Sequence, residues 1–124
     1  MKGTYASSEA DKAMLIANAD VVFCTAKAGV QVLSKTVLGQ AKQLKVAADI
    51  NAVPPLGIEG VKRNDMGTPL LHAVNSPGSL GIGALAVGNV KYQLQNCLLK
   101  MMVETETPLY LDFRDAFAKA RGLV

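Results

Sequence analysis

Apolar residues recur with two different periods along the chain, which predicts alternating helices and strands. Ser8, with Asp11 three residues later, has the pattern of a helix N-cap, and a short helix is expected to end near Asn18. Apolar runs without polar alternation then occupy 21–25 and 45–50. Such runs are typical of strands covered on both faces, as in a parallel sheet.

The segment between these two strands predicts a helix. Its apolar residues lie at helical spacing: Val30, Leu33, Val37, Leu38 and Ala41. A strand, a helix and a strand within about thirty residues form one βαβ unit. The predicted fold class is therefore α/β, a partial Rossmann-like doubly wound parallel sheet in three layers with a long C-terminal helix.

After the second strand, the sequence predicts a stiff loop over 51–60, because Pro54 and Pro55 fix φ and remove two backbone donors. A short strand is expected at 70–74, and a glycine-rich segment follows at 78–83.

Two helices are predicted at the end of the chain. The longer one ends near Glu104 and carries a core-facing stripe: Val90, Leu94, Cys97, Leu98 and Met101. Asp112 caps the shorter one, which Gly122 closes. With 1–7 as a loose leader, the whole chain, 1–124, is predicted to be one domain.

Composition narrows the function classes. The chain has 124 residues, of which 50% are hydrophobic and 19% charged, so disorder is excluded. Its net charge is +3 and its lysines are scattered, so no nucleic-acid partner is predicted. No apolar leader or bilayer-length apolar stretch occurs, and two cysteines in apolar surroundings fit a reducing compartment. We therefore expect a cytoplasmic protein without a membrane partner.

Metal and nucleotide motifs are not matched. The single histidine, His72, has no companion at metal-ligand spacing, so no metal is predicted. Residues 83–88 have the spacing of a P-loop, but Asn89 and Val90 stand where Lys and Ser or Thr are required. The glycines of 78–83 follow the reverse order of the dinucleotide fingerprint.

Two loops remain as candidate ligand contacts, because ligands bind outside the carboxyl ends of parallel strands. These loops are 25–29 and 51–55. Thr25 and Asn51 offer hydrogen-bonding groups, Lys27 offers a cation, and small residues permit close approach of a flat ligand. The alternative is that both are ordinary connections.

Lys91 is a further candidate. It follows Gly88 and Asn89 near the start of the long helix, where an ammonium group can reach an anionic or carbonyl group of a ligand. The alternative is a solvated helix lysine.

One segment resembles a known family. Residues 48–60 have the pattern A-D-x-N-A-x-P-P-x-G-I-x-G. This pattern is similar to that of the NADP-dependent methylene-tetrahydromethanopterin and methylene-tetrahydrofolate dehydrogenases of one-carbon metabolism. Residues 19–26, the segment 78–91 and the final helix also resemble parts of these enzymes, so the resemblance covers most of the chain. It departs at Lys27, where the family tends to have glycine.

The resemblance implies an oxidoreductase that moves a hydride from the methylene bridge of a reduced pterin to NADP. It implies a catalytic role for Lys91, as the residue that orients the pterin or tunes the charge. The residues that we predict to contact the cofactor are Thr25, Ala26, Lys27, Gly29, Asp49, Asn51, Ala52 and Gly81.

The family's pterin-binding region and first βαβ unit, with its glycine turn, have no counterpart here. We therefore interpret the chain as the C-terminal, cofactor-domain portion of such an enzyme and expect weak or no activity from it alone. The alternative is a non-catalytic ligand-binding or protein-interaction module derived from the same fold. A partial sheet exposes an edge strand and apolar surface, which predicts a homo-oligomer.

Overall fold

A computed structural model describes residues 3–124. Met1 and Lys2, the start of the predicted leader, lie outside the described residues, and 3–7 has no regular secondary structure. The backbone contacts divide the chain into two units, Met1–Ala86 and Val87–Val124. The prediction of a single domain stays a prediction.

A four-stranded, mostly parallel sheet lies at the centre of the first unit. Strands β1 (Val21–Cys24) and β2 (Val46–Asp49) are parallel neighbours, and β4 (Leu80–Ile82) runs parallel to β2. Strand β3 (Met66–Pro69) pairs antiparallel with β4, which gives the order β1-β2-β4-β3. The predicted α/β class and partial Rossmann-like fold are thus confirmed, with an antiparallel strand at one edge.

Helix α1 (Glu9–Ile16) begins where its sequence pattern predicts. Ser8 is the N-cap, and Ser8 and Asp11 form a reciprocal capping box. Such a box satisfies two backbone N–H groups that a helix end otherwise leaves without partners. The Ser34 hydroxyl donates a hydrogen bond of 2.7 Å to Glu9 Oε2 and so joins α1 to the segment that follows β1.

The long helix predicted over residues 30–41 is wrong in its extent, because α2 covers only Lys35–Leu38. The N–H groups of Val32 and Leu33 donate to the Gly57 carbonyl, and Leu33 forms a parallel bridge with Ile58. These long-range bonds hold the first part of the segment extended. Of its apolar residues, Leu33 is buried in this extended part, whereas Val30 is 44% exposed.

The strand predicted at 70–74 is also wrong. That segment forms turns, and the strand lies immediately before it, at Met66–Pro69. The glycine-rich segment supplies β4, since its three central residues pair with both β2 and β3. Proline at the end of β3 is compatible with an edge strand, where one side of the backbone needs no partner.

The core of the first unit lies mainly on the helix side of the sheet. Its buried cluster consists of Ile16, Cys24, Leu33, Val37, Leu38, Ala41, Leu44, Ala47, Ile58, Val61, Leu70 and Ala73. Strand β2 is almost fully buried, as predicted. Strand β1 is not covered on both faces, because Phe23 is 71% exposed and Val21 is 48% exposed.

Helices α3 (Ala84–Glu104) and α4 (Phe113–Ala120) make up most of the remaining chain, and α4 is capped by Asp112 as predicted. The predicted core stripe of α3 is its less exposed side, but its residues are only half-buried. Phe113 and Phe117 of α4 are largely exposed. Within residues 3–124, we found no helix with both the length and the apolar character needed to cross a membrane.

Candidate functional site at the carboxyl edge of the sheet

The loops that follow β1 and β2 begin side by side. Cys24 is the register partner of Asp49, so the two parallel strands end at the same level. The Ile50 N–H donates to the Cys24 carbonyl at 3.2 Å and extends the pairing by one bond. The two candidate loops therefore leave the sheet at one edge, which is where α/β sheets bind their ligands.

Asp49 is a buried carboxylate that serves the loop after β2. It is only 1% exposed. Its Oδ1 accepts from the Asn51 N–H and its Oδ2 from the Ile58 N–H, both at 2.9 Å. Burial of a carboxylate is costly unless donors replace water, and these two backbone groups are such donors. Asp49 thus connects the start and the end of the proline-containing loop.

Asn51 connects the two loops to each other. It is 4% exposed, and its Oδ1 accepts from the Val53 N–H at 3.0 Å and from the Gly29 N–H at 3.4 Å. Its Nδ2 donates to the Pro55 carbonyl at 3.1 Å. Gly29 has a φ of +74°, a conformation that glycine adopts without strain.

Glu59 attaches the end of the motif to α2. Its Oε2 accepts from the Lys35 N–H at 2.8 Å, in the first turn of α2, and from the Gln31 side chain at 3.2 Å. The Gly57 carbonyl accepts hydrogen bonds from the N–H groups of Val32 and Leu33, at 2.8 and 3.0 Å. The peptide bond between Pro54 and Pro55 is cis. Residues 49–59 are thus joined to 29–35 through both side chains and backbone.

The thiol of Cys24 lies next to Gly57 of the proline-containing loop. Cys24 is buried, and a Cβ added to Gly57 would overlap its Sγ. Burial raises the pKa of the Cys24 thiol, and the neighbouring Asp49 carboxylate raises it further. Both Cys24 and Cys97 are free cysteines.

The predicted contact residues differ in accessibility. Thr25, Lys27 and Ala52 are exposed at the edge of the sheet, whereas Ala26 and Gly29 are half-buried. The side chains of Asp49 and Asn51 are directed into the protein. A ligand at this edge would therefore meet Thr25, Lys27 and Ala52 first. Among residues 3–124, no group of three His, Cys, Asp or Glu side chains is placed to hold a metal ion.

Gly81 lies apart from the loops, in the middle of β4. It is buried and pairs with Ala47 of β2, two residues before Asp49, at which β2 ends. Its added Cβ would stand 3.4 Å from Val61 Cγ2 and 3.5 Å from Asp65 Oδ2. The structure thus gives Gly81 a packing role, and its predicted contact with a cofactor stays a prediction.

One glycine signal was missed in the sequence. Gly81, Gly83 and Ala86 match the alanine variant of the dinucleotide fingerprint, between β4 and α3. In the structure, the Gly83 N–H donates to Asp65 O at 2.8 Å and the Leu85 N–H to Arg63 O at 2.9 Å. Because protein carbonyls use these amides, this turn does not offer them to a phosphate.

Lys91 is an exposed residue of α3. The helix begins at Ala84, so Lys91 lies beyond the first turn, whose N–H groups are the ones that a ligand can reach. The catalytic role of Lys91 stays a prediction.

Comparison with known proteins gives a clear result. No known family profile matches the sequence. Over 105 residues, 85% of the chain, it is 48% identical to the NAD(P)-dependent methylenetetrahydromethanopterin dehydrogenase of Methylorubrum extorquens strain AM1. Over 101 residues it is 29% identical to the bifunctional protein MdtA of the same strain. The matches cover 34% and 33% of these relatives, so the chain spans about a third of their length.

The resemblance expected from residues 48–60 is thereby confirmed. An identity of 48% that extends over 85% of the chain includes much more than one loop. Over most of its length, this chain is similar in sequence to one part of a methylenetetrahydromethanopterin dehydrogenase.

Proposed function

We propose that this chain is the cofactor-domain portion of an oxidoreductase of one-carbon metabolism, which oxidises a methylene-tetrahydropterin with NADP. The observation that carries the proposal is the 48% identity to a methylenetetrahydromethanopterin dehydrogenase. The name of this relative supports a nicotinamide cofactor and a pterin substrate. The choice of NADP over NAD, and of tetrahydromethanopterin over tetrahydrofolate, is part of the proposal.

The residues at the carboxyl edge fit one end of such a cofactor. The edge presents the hydroxyl of Thr25, the ammonium of Lys27 and the small side chain of Ala52. Small side chains beside a fixed backbone allow a flat ring to approach closely. In the turn after β4, the N–H groups of Gly83 and Leu85 are already bonded to protein carbonyls, so they are not available to a phosphate. The fit therefore concerns the nicotinamide end of the cofactor.

In this proposal the protein acts mainly by orientation. The nicotinamide, when bound, accepts the hydride that leaves the methylene carbon of the substrate, so the substrate loses two electrons. Thr25 and Ala52 line the ring, and the loop bonds to Asn51 keep their backbone in place before the ligand arrives. Such pre-organisation lowers the entropic part of the barrier. Lys91 would orient the pterin or adjust the local charge.

The test uses the longest polypeptide that the gene encodes and, in parallel, the 124-residue chain. Each is mixed with methylene-tetrahydromethanopterin or methylene-tetrahydrofolate and with NADP or NAD, and formation of reduced nicotinamide is followed. We expect NADP-dependent oxidation by the longer polypeptide and weak or no activity from the 124-residue chain. Absence of activity from the longer polypeptide with every substrate and cofactor pair would overturn the proposal.

A second candidate function is a non-catalytic ligand-binding or protein-interaction module that forms a homo-oligomer. It is supported by the different character of the two sheet edges. Strand β3 carries Pro69 and a register irregularity between Met66 and Thr68, features that discourage pairing with another strand. Strand β1 has no proline, glycine or charge, and its Phe23 is 71% exposed. This edge suits association with a second copy.

We also propose that the protein resides in the cytoplasm. The support is chemical, because Cys24 and Cys97 are both free thiols. Free thiols persist in reducing compartments, whereas secreted proteins tend to pair them. Detection of the protein in a periplasmic or secreted fraction of its host would contradict this placement.

A further inference from the structure

The polar residues of the 48–60 motif are all engaged with the protein itself. Asp49 uses both carboxylate oxygens on backbone N–H groups of its own loop. Asn51 uses its oxygen and its nitrogen on three backbone groups, one of which belongs to the other loop. Glu59 accepts from the first turn of α2. Each side-chain oxygen and nitrogen of Asp49 and Asn51 therefore already has a partner within the protein.

We propose that Asp49 and Asn51 are positioning residues, which clamp the loop after β1 to the loop after β2, and that neither contacts the cofactor. The inference rests on the proposed function for the identity of the ligand, but the clamp itself does not depend on it. The positioning role takes the place of the direct cofactor contact that the sequence predicts for Asp49 and Asn51. The ligand is then met by the exposed Thr25, Lys27 and Ala52.

Burial supports this assignment. Asp49 is 1% exposed and Asn51 is 4% exposed, so neither side chain presents appreciable surface at the sheet edge. A buried acceptor that lost its donors would incur a desolvation cost, which makes the observed hydrogen bonds difficult to exchange for ligand contacts. The Gly29–Asn51 bond joins residues that are 22 apart in sequence. This bond is the direct link between the two loops.

The decisive measurement is amide hydrogen exchange on the 124-residue chain, with Asn51→Ala as the variant. The reporters are the N–H groups of Gly29 and Val53, which donate to Asn51 Oδ1. We expect both amides to exchange at least about tenfold faster in Asn51→Ala, while amides within β2 keep their rates. Unchanged exchange at Gly29 and Val53 would overturn the clamp.

Asn51→Asp keeps an acceptor oxygen for Gly29 and Val53, although it loses the donor to Pro55 and adds a carboxylate two residues from Asp49. We expect it to restore slow exchange at both reporters. If Asn51→Ala unfolds, the exchange rates of the Gly29 and Val53 amides in Asn51→Asp decide the test. Fast exchange of these two amides in Asn51→Asp, while the amides of the sheet remain slow, would refute the proposal. Gln43→Ala, which removes side-chain bonds to Asn18 and Asp20, controls for a general loss of stability.

Cofactor binding separates positioning from direct contact. In the longest polypeptide that the gene encodes, NADP affinity and kcat are measured for Asn51→Ala and Asn51→Asp. A clamp predicts that Asn51→Asp rescues most of what Asn51→Ala loses, together with the slow exchange. A ligand contact predicts weaker NADP binding without faster exchange at Gly29, and that result would overturn the inference. If the polypeptide has no dehydrogenase activity, the proposed function fails while the exchange result still decides the clamp.

Discussion

Gly57 lies directly against Cys24, so the proline-containing loop packs onto the end of β1 without space for a side chain. A Cβ added at Gly57 would overlap the Cys24 Sγ and would stand 2.9 Å from Asp49 Oδ1. The Gly57 carbonyl also accepts the N–H groups of Val32 and Leu33. The glycine therefore allows the loop to approach both the strand end and the segment that leads into α2.

The first prediction is that Gly57→Ala destabilises the protein. The added methyl meets a buried sulfur and a buried carboxylate, and overpacking of this kind costs about 1–3 kcal/mol. Gly88→Ala is the matched control, because an added Cβ at Gly88 has no neighbour within 4 Å. Since Gly88 lies inside α3, alanine there should stabilise by about 0.5–1 kcal/mol. Urea denaturation measures both, and equal midpoints for the two variants would contradict the prediction.

The sequence predicted the helix caps and strands that depend on residues close to one another in the chain. The caps at Ser8 and Asp112 were predicted because each is a polar residue just before a helical pattern, and in the structure a side chain three residues away completes each capping box. Strands β1 and β2 were predicted because apolar residues dominate them. The extent of α2 was not predictable in this way, because its short length depends on Gly57, which lies more than twenty residues beyond Val32 in sequence.

Strand β3 shows the same limit. Met66–Pro69 contains glycine and proline and has little intrinsic preference for a strand, so pairing with β4 defines it. The rule on carboxyl ends of parallel strands correctly placed the loops after β1 and β2 at the same edge of the sheet. It did not show that Asp49 and Asn51 are directed inwards, because burial depends on how the loop folds back toward Ile58.

The second prediction concerns Cys24 and pH. Burial raises the pKa of its thiol in the folded state above the ordinary value of 9.0. The stabilising contribution is therefore complete below that ordinary value and is lost as the pH rises through the folded pKa, since the unfolded chain releases its proton first. We expect the free energy of unfolding, measured with urea, to fall on the alkaline side, and we expect Cys24→Ala to reduce that fall.

Cys97→Ala is the control for this prediction. Cys97 lies on α3 and is only half-buried, so its removal should leave the alkaline fall in place. Iodoacetamide should also alkylate Cys97 faster than Cys24 in the folded protein, because Cys24 is buried and its burial raises the pKa of its thiol. Equal alkylation rates, measured by peptide mass analysis, would show that Cys24 is not protected.

The third prediction concerns the β1 edge. If the proposed self-association uses this edge, a charge at its most exposed apolar position should weaken it. Phe23→Lys is expected to shift the protein toward monomer in equilibrium sedimentation. Thr68→Lys on β3 is the matched control, since that edge already carries Pro69 and a register irregularity. A wild-type protein that sediments as a monomer at every concentration, or a Phe23→Lys variant that associates normally, would contradict the prediction.

The fourth prediction tests Lys91. In the longest polypeptide that the gene encodes, Lys91→Ala should lower kcat by about 10²-fold if the ammonium group orients the pterin, because small errors in position cost rates of that order. Lys91→Arg should retain part of the activity, since it keeps the charge but changes its geometry. Lys100→Ala is the control, because Lys100 is also an exposed lysine of α3. If Lys91→Ala and Lys100→Ala turn over alike, Lys91 is a solvated helix residue, and orientation of the pterin must come from other residues.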